Sequence, residues 1–216
     1  MKRLFLASQF YVSGANIGAK IPDEAKKNTV FITTSIKYRV FKESELDWHY
    51  KNRATLKESG FICEDYDITG KSEQDLKNDL DKYQVIYMEG GNTAYLLQQA
   101  QKNNFGKYIT TRVNNGMIYV SESAGSVIAG PDIYANGRPG KSSADYGLTD
   151  THGFGLVNFE IMPHWGKENK KADYMTYKIP QAYNEDFPYI LLANTQYVEV
   201  TDDWYKIIDI TKEGQK

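Results

Sequence analysis

Cysteine is almost missing from this chain of 216 residues: Cys63 stands alone, which excludes an internal disulfide and a cysteine-built zinc site. A chain of this length buries enough apolar surface to fold without such staples. Surplus charge is missing too. The 26 basic and 28 acidic side chains leave a formal charge of -2, so the clustered Lys and Arg that hold DNA, RNA or an anionic membrane are not there. Long apolar runs are also lacking. Val85–Met88 and residues 190–193 are among the longest, against the roughly 20 residues that a membrane helix needs. Met1-Lys2-Arg3 is followed by only four apolar residues, short of a secretory signal. These absences predict a cytoplasmic protein, monomer or homodimer, that meets neither nucleic acid nor membrane and acts on a small molecule or peptide.

Linkers are missing as well: no Pro- or Gly/Ser-rich stretch and no repeat of 20–50 residues offers a boundary, so residues 1–216 read as one domain. What is present is alternation. Arg3–Ala7 and residues 30–33 are short apolar or β-branched runs, the pattern of buried parallel strands. Residues 41–59 lack Pro and Gly and end at Gly60, which predicts a helix with a glycine cap. Strands at 61–68, 84–88, 117–120 and 157–162 and helices at 73–82, 92–102 and 108–115 continue the pattern, and strands at 189–193, 197–200 and 205–210 close it. The order implies an α/β sandwich of three layers with a mostly parallel central sheet. In such sheets the chemistry collects at the carboxyl ends of the strands.

Three segments end a strand with small residues followed by polar ones: Glu89-Gly90-Gly91-Asn92-Thr93, Ser121-Glu122-Ser123-Ala124-Gly125 and Met162-Pro163-His164-Trp165. In a parallel sheet all three tips would share one edge. The second segment reads as strand, turn, helix with Ser123 at the turn, where a strained backbone lifts a nucleophile's Oγ above the sheet and small neighbours are required. The alternative role of Ser123 is a helix cap. Three histidines limit the search for a base. His49 is expected on a solvated helix face and His152 in a turn, whereas His164 ends an apolar strand and is the preferred base. Gly90-Gly91, free of side chains, and the N–H of Ala124 are the candidate oxyanion donors, the alternative role of the glycine pair being a simple βα turn. No phosphate-loop or dinucleotide fingerprint and no metal-binding spacing is present, so no cofactor and no metal is expected.

Gly-Gly-Asn-Thr, then Ser-Ala-Gly about 30 residues on, then Pro-His about 40 further, resembles the dipeptidase E and cyanophycinase family of serine peptidases, from the first strand through Tyr197. The resemblance implies a flavodoxin-like sandwich related to class I glutamine amidotransferase domains, with Ser123 as nucleophile, His164 as base, Gly91 and Ala124 as oxyanion donors, and metal-independent hydrolysis of short peptides or aspartate-arginine polymers. An amidotransferase itself would need a cysteine at the elbow, and Cys63 lies elsewhere. This sequence departs from the family at Glu89, Ser121 and Glu122, and most of all where relatives carry an acid in the late strand. Here that stretch offers Asn194, a possible orienter of the histidine. Glu122, Glu160, Asp132 and Asp145 are other acids open for that role, though most of them are expected to be solvated surface or loop carboxylates. Arg138, Lys141 and Lys167 are candidates to meet a substrate aspartate. The alternative to an enzyme is a ligand-binding relative that has lost turnover.

Overall fold

Parity sorts the strand residues into two apolar sets. Leu4 and Leu6, Val30 and Ile32, and Ile86 and Met88 join one buried cluster, while Phe5 and Ala7, Phe31, and Val85 and Tyr87 join another. Neighbouring side chains of a strand point to opposite faces, so this sorting is what a sheet covered on both sides requires. The computed structural model describes residues 1–137, 147–183 and 186–212. Its strands are β1 (Arg3–Ala7), β2 (Thr29–Ile32), β3 (Cys63–Tyr66), β4 (Val85–Met88), β5 (Ile118–Glu122), β6 (Glu160–Pro163), β7 (Tyr189–Leu192), β8 (Gln196–Thr201) and β9 (Trp204–Asp209). Seven form the central sheet in the order β3-β2-β4-β5-β1-β8-β9. The first five run parallel, and β8 and β9 close the β1 side antiparallel.

Helices cover both faces. The chain forms α1 (Phe10–Gly18), α2 (Asp23–Lys26), α3 (Asp47–Glu58), α4 (Glu73–Leu80), α5 (Thr93–Lys102), α6 (Phe105–Asn114) and α7 (Ala124–Val127). Phe10, Ile17 and Leu56 bring α1 and α3 onto the face of Phe5 and Tyr87. Leu76, Leu80, Leu96, Leu97 and Ile109 bring α4, α5 and α6 onto the face of Leu4 and Met88. Burying each such side chain contributes roughly 1.5–3 kcal/mol relative to exposure. This is the three-layer α/β sandwich expected from the alternation. Among the described residues no helix is long and apolar enough to cross a membrane.

Two features differ from the sequence reading. Helix α1 follows β1 directly and was not expected, because Gly14 and Gly18 interrupt it. Those glycines are packing residues: a Cβ at Gly14 would lie 2.6 Å from Thr55 Cγ2, and one at Gly18 would lie 2.7 Å from Ser59 Cβ. The second difference concerns His164. Its strand β6 does not return to the central sheet but pairs in parallel with β7, Pro163 beside Leu192, as a separate two-stranded sheet. The elbow strand β5 already has β4 and β1 as neighbours, so no edge near Ser123 is open to it.

The elbow depends on close approach. A Cβ at Gly125 would lie 2.3 Å from the carbonyl oxygen of Met88, so α7 starts directly against β4. Replacing Gly125 by Ala should therefore push α7 off the sheet and cost about 1–3 kcal/mol or more, as overpacked cores do. Urea denaturation measures this; an unchanged midpoint would contradict the packing.

Candidate active site

Ser123 sits at the sharp end of β5 with φ 46° and ψ -106°, a conformation that an L side chain adopts only when its surroundings force it. The forcing groups are visible. Its N–H donates to the Ala7 carbonyl at 3.0 Å, and its own carbonyl accepts from the N–H groups of Ser126 and Val127 at 3.0 and 2.9 Å. The chain thus turns from strand to helix with Ser123 Oγ 3.1 Å from His164 Nε2.

His164 is also held at positive φ, 67°. Its backbone N–H donates to Ser8 Oγ at 2.7 Å, and the next residue, Trp165, donates to Leu192 O at 2.9 Å. On the far side of the ring Nδ1 is 2.9 Å from Asn194 Oδ1, and Ser8 Oγ donates to the same oxygen at 3.3 Å. A proton order follows. Ser8 accepts from His164 N–H, so its hydroxyl hydrogen is left for Asn194, which presents its oxygen. Nδ1 of His164 then carries the ring proton and Nε2 turns its lone pair to Ser123. Ser8 is fully buried at the carboxyl end of β1. It was overlooked in the sequence, although a polar residue directly after the first strand is the signal that the strand-end rule supplies.

The loop after β4 is set by Ser35. Its Oγ donates to Gly90 O at 2.6 Å, and its carbonyl accepts from Asn92 N–H at 2.9 Å. Gly91 between them has φ 136°, and a Cβ there would lie 2.6 Å from Ser35 O, so only glycine fits. Gly91, Ser123, Ala124 and His164 line one cleft of about 430 Å³. Among the described residues the backbone N–H groups of Gly91 and Ala124 have no acceptor. All five residues singled out in the sequence, Ser123, His164, Gly91, Ala124 and Asn194, therefore meet in one place.

None of the described acids weighed as a third triad member is a hydrogen-bond partner of the His164 ring, and the surroundings of two of them correct an expectation. Glu122 and Glu160 are buried, not solvated. Glu122 accepts from Phe10 N–H at the start of α1, and burial pushes its carboxyl up to about 7. Glu160 accepts from Asp132 N–H. His49 is buried as well: Nδ1 meets Glu89, Nε2 accepts from Arg53 at 3.0 Å, and Arg53 in turn binds Asp65. Glu89, a departure from the family pattern, thus has a buried partner, and burial raises its carboxyl. His152 is exposed and paired with Asp150. Burial pushes the Cys63 thiol up to about 12, which disfavours the thiolate. Asp145, Arg138 and Lys141 lie outside the described residues. Lys167 lines a second cleft beside His164, while Lys170 and Lys178, which the sequence reading did not single out, line the first. Among the described residues no cluster of His, Cys, Asp and Glu has the arrangement of a metal site.

Comparison with known proteins adds a second line of argument. The sequence model of peptidase family S51 matches residues 20–208. An uncharacterized peptidase of Pasteurella multocida is 30% identical over 208 residues, covering 94% of this chain and 95% of its own length. A peptidase E of Nostoc is 28% identical over 174 residues, covering 76% of this chain and 66% of its own. The crystal structure of a Listeria monocytogenes protein assigned to peptidase E superposes with a TM-score of 0.78 at 24% identity, covering 97% of this chain and 98% of its own, which is a likeness of fold.

Electrostatics around the ring yield a pH prediction. Burial lowers His164 to about 4; the bond to Asn194 works against this, and Lys167, Lys178 and Lys170 lower it further. The neutral ring is the form that accepts a proton, so kcat/KM should stay level down to about pH 5 and fall below it with an apparent pKa of about 4. Asn194→Asp adds an opposite charge at Nδ1 and should move that limb up by about one to two pH units. A wild-type limb near the ordinary histidine value would contradict the burial and lysine effects.

Proposed function

The chain belongs to peptidase family S51, of the dipeptidase E and cyanophycinase type, and from this premise we propose that it hydrolyses short peptides with Ser123 as nucleophile and His164 as general base. The observation that carries the reading is the 3.1 Å contact of Ser123 Oγ with His164 Nε2, while His164 Nδ1 meets Asn194 Oδ1 at 2.9 Å. In the first half-reaction Oγ attacks the peptide carbonyl as its proton passes to Nε2. The C–N bond then breaks, and the same proton leaves on the departing amine. Water, deprotonated by His164, next attacks the Ser123 ester and releases the acid, returning the serine its proton. Charge on the tetrahedral oxygen falls to the N–H groups of Gly91 and Ala124. No step calls for a metal.

Asn194 replaces the charged partner that serine triads commonly use. A neutral amide oxygen holds the tautomer but gives the imidazolium less support than a carboxylate. Loss of the acid in the best-studied triad cost about ten-thousandfold, with the wrong tautomer much of the cause. In this chain the Ser8 hydroxyl keeps the amide oxygen toward Nδ1, which supports retention of the tautomer part. Lys170 and Lys178 line the first cleft with one acid, Asp173, which pairs with Lys170 at 4.0 Å, and the remaining positive charge fits a peptide with an acidic group beside the scissile bond. An anion there offsets two of the lysine charges that depress His164, so such a substrate strengthens the base that attacks it.

Hydrolysis of acidic di- and tripeptides, followed by amine release, tests this. Ser123→Ala should lose about a thousandfold or more in kcat/KM; activity that survives the substitution would overturn the nucleophile. Ser8→Ala should lower kcat about tenfold with little change in KM, and the loss should shrink in an Asn194→Asp background, where charge alone sets the tautomer. Equal losses in both backgrounds would contradict the proton order.

A further inference from the structure

Beside the basic cleft lies a second, of about 500 Å³, which shares Gly91, Ser123 and His164 with it. Its lining has a different chemistry. Tyr11, Tyr38, Phe41 and Trp48 all reach it and all are half-buried, unlike Phe5, Phe10, Phe31 and Tyr87, which are sealed in the core. Tyr38 and Phe41 meet edge to face with centroids 5.4 Å apart. A methyl placed on Gly90 would lie 3.4 Å from the Trp48 ring and 2.7 Å from Glu122 Oε1, so indole and carboxyl converge on the same glycine.

The wall is a formed one. Arg39 grips Glu45 through two N–H groups at 2.7 and 3.2 Å, Glu45 also accepts from Lys42 N–H at 2.9 Å, and Trp48 Nε1 donates to Glu45 O at 3.1 Å. These bonds fix residues 39–48 beside Ser123 without a strand. The charges of the lining are balanced: Arg39 is paired with Glu45 and lies 3.9 Å from the Phe41 ring centroid, Asp47 is paired with Lys51, and Lys167 and Glu122 stand with opposite sign in the same cleft. A charged guest of either sign therefore meets a like charge as well as an opposite one. An uncharged aromatic side chain avoids both like charges and gains ring contacts with offset or edge geometry.

We propose that this cleft is a subsite for an aromatic side chain of the peptide, next to the bond that is cleaved. It rests on Ser123 as the reacting atom and divides the substrate between two clefts of different chemistry, one basic and one aromatic.

Two readouts on the full chain test it. In the first, the residues flanking the scissile bond of short peptides are varied one at a time among alanine, leucine, phenylalanine, tyrosine, lysine and glutamate. At one of the two positions phenylalanine or tyrosine should exceed alanine by about tenfold or more in kcat/KM. In the second, calorimetry reads binding of the same peptides to Ser123→Ala without turnover and should show the same ratio in affinity. Trp48→Ala, and independently Phe41→Ala in the outer part of the wall, should each bring the ratio below about threefold. No aromatic preference in binding, a preference for lysine, or a ratio unmoved by both wall variants would overturn the subsite. So would a concentration-dependent dimer that Phe41→Ala dissolves, because a second copy would then be the occupant. An aromatic preference in binding without hydrolysis of any peptide would support the subsite and count against the nucleophile alone.

Discussion

A line of hydrogen bonds from Ser123 through His164 to Asn194 and Ser8 joins four pieces of chain that meet at the carboxyl end of the sheet. Ser123 directly follows β5, His164 directly follows β6, Asn194 lies in the turn between β7 and β8, and Ser8 directly follows β1. Two of the four, Ser123 and His164, have positive φ, each costing on the order of 1–3 kcal/mol. The surrounding packing offsets that cost. Gly125 lets α7 touch Met88 O, and Ser35 pins the Gly90-Gly91 turn by two bonds. The site is therefore a product of the sheet's register, with strain at Ser123 and His164 and rigidity behind them.

Electrostatically the site is unusual for a serine hydrolase. Its histidine faces a neutral amide, and three lysines stand near enough to disfavour the imidazolium. Such a base is deprotonated at neutral pH without help but is intrinsically weak. Anionic substrate groups would change that balance, coupling recognition to reactivity through charge rather than through movement. Glu89 and Glu122, one residue past β4 and at the end of β5, serve a different purpose. Each holds an element behind the loop, Glu89 through His49 of α3 and Glu122 through the first N–H of α1. The departures from the family pattern at these two positions are thus structural ties.

Much of this was legible in the residues. The alternation of apolar runs and helical stretches specified the sandwich, and small residues after β4 and β5 marked the strand tips where Gly91 and Ser123 stand. What stayed hidden depended on partners distant in sequence. Helix α1 was masked by glycines whose reason is contact with α3. His49 and Glu122 looked solvated because a charged neighbourhood in sequence says nothing of the fold that covers them. Ser8 lies 156 residues from His164 and 186 from Asn194, so its role exists only once β1, β6 and the β7–β8 turn are brought together.

The account stands on Ser123 being a reactive oxygen. Incubation with a fluorophosphonate, followed by intact mass and fragment mapping, measures that directly. One adduct per chain on Ser123, abolished in Ser123→Ala and strongly slowed in a folded His164→Ala variant, is the predicted result. A folded, monodisperse wild type that takes up no label, or takes it on another residue, would contradict it.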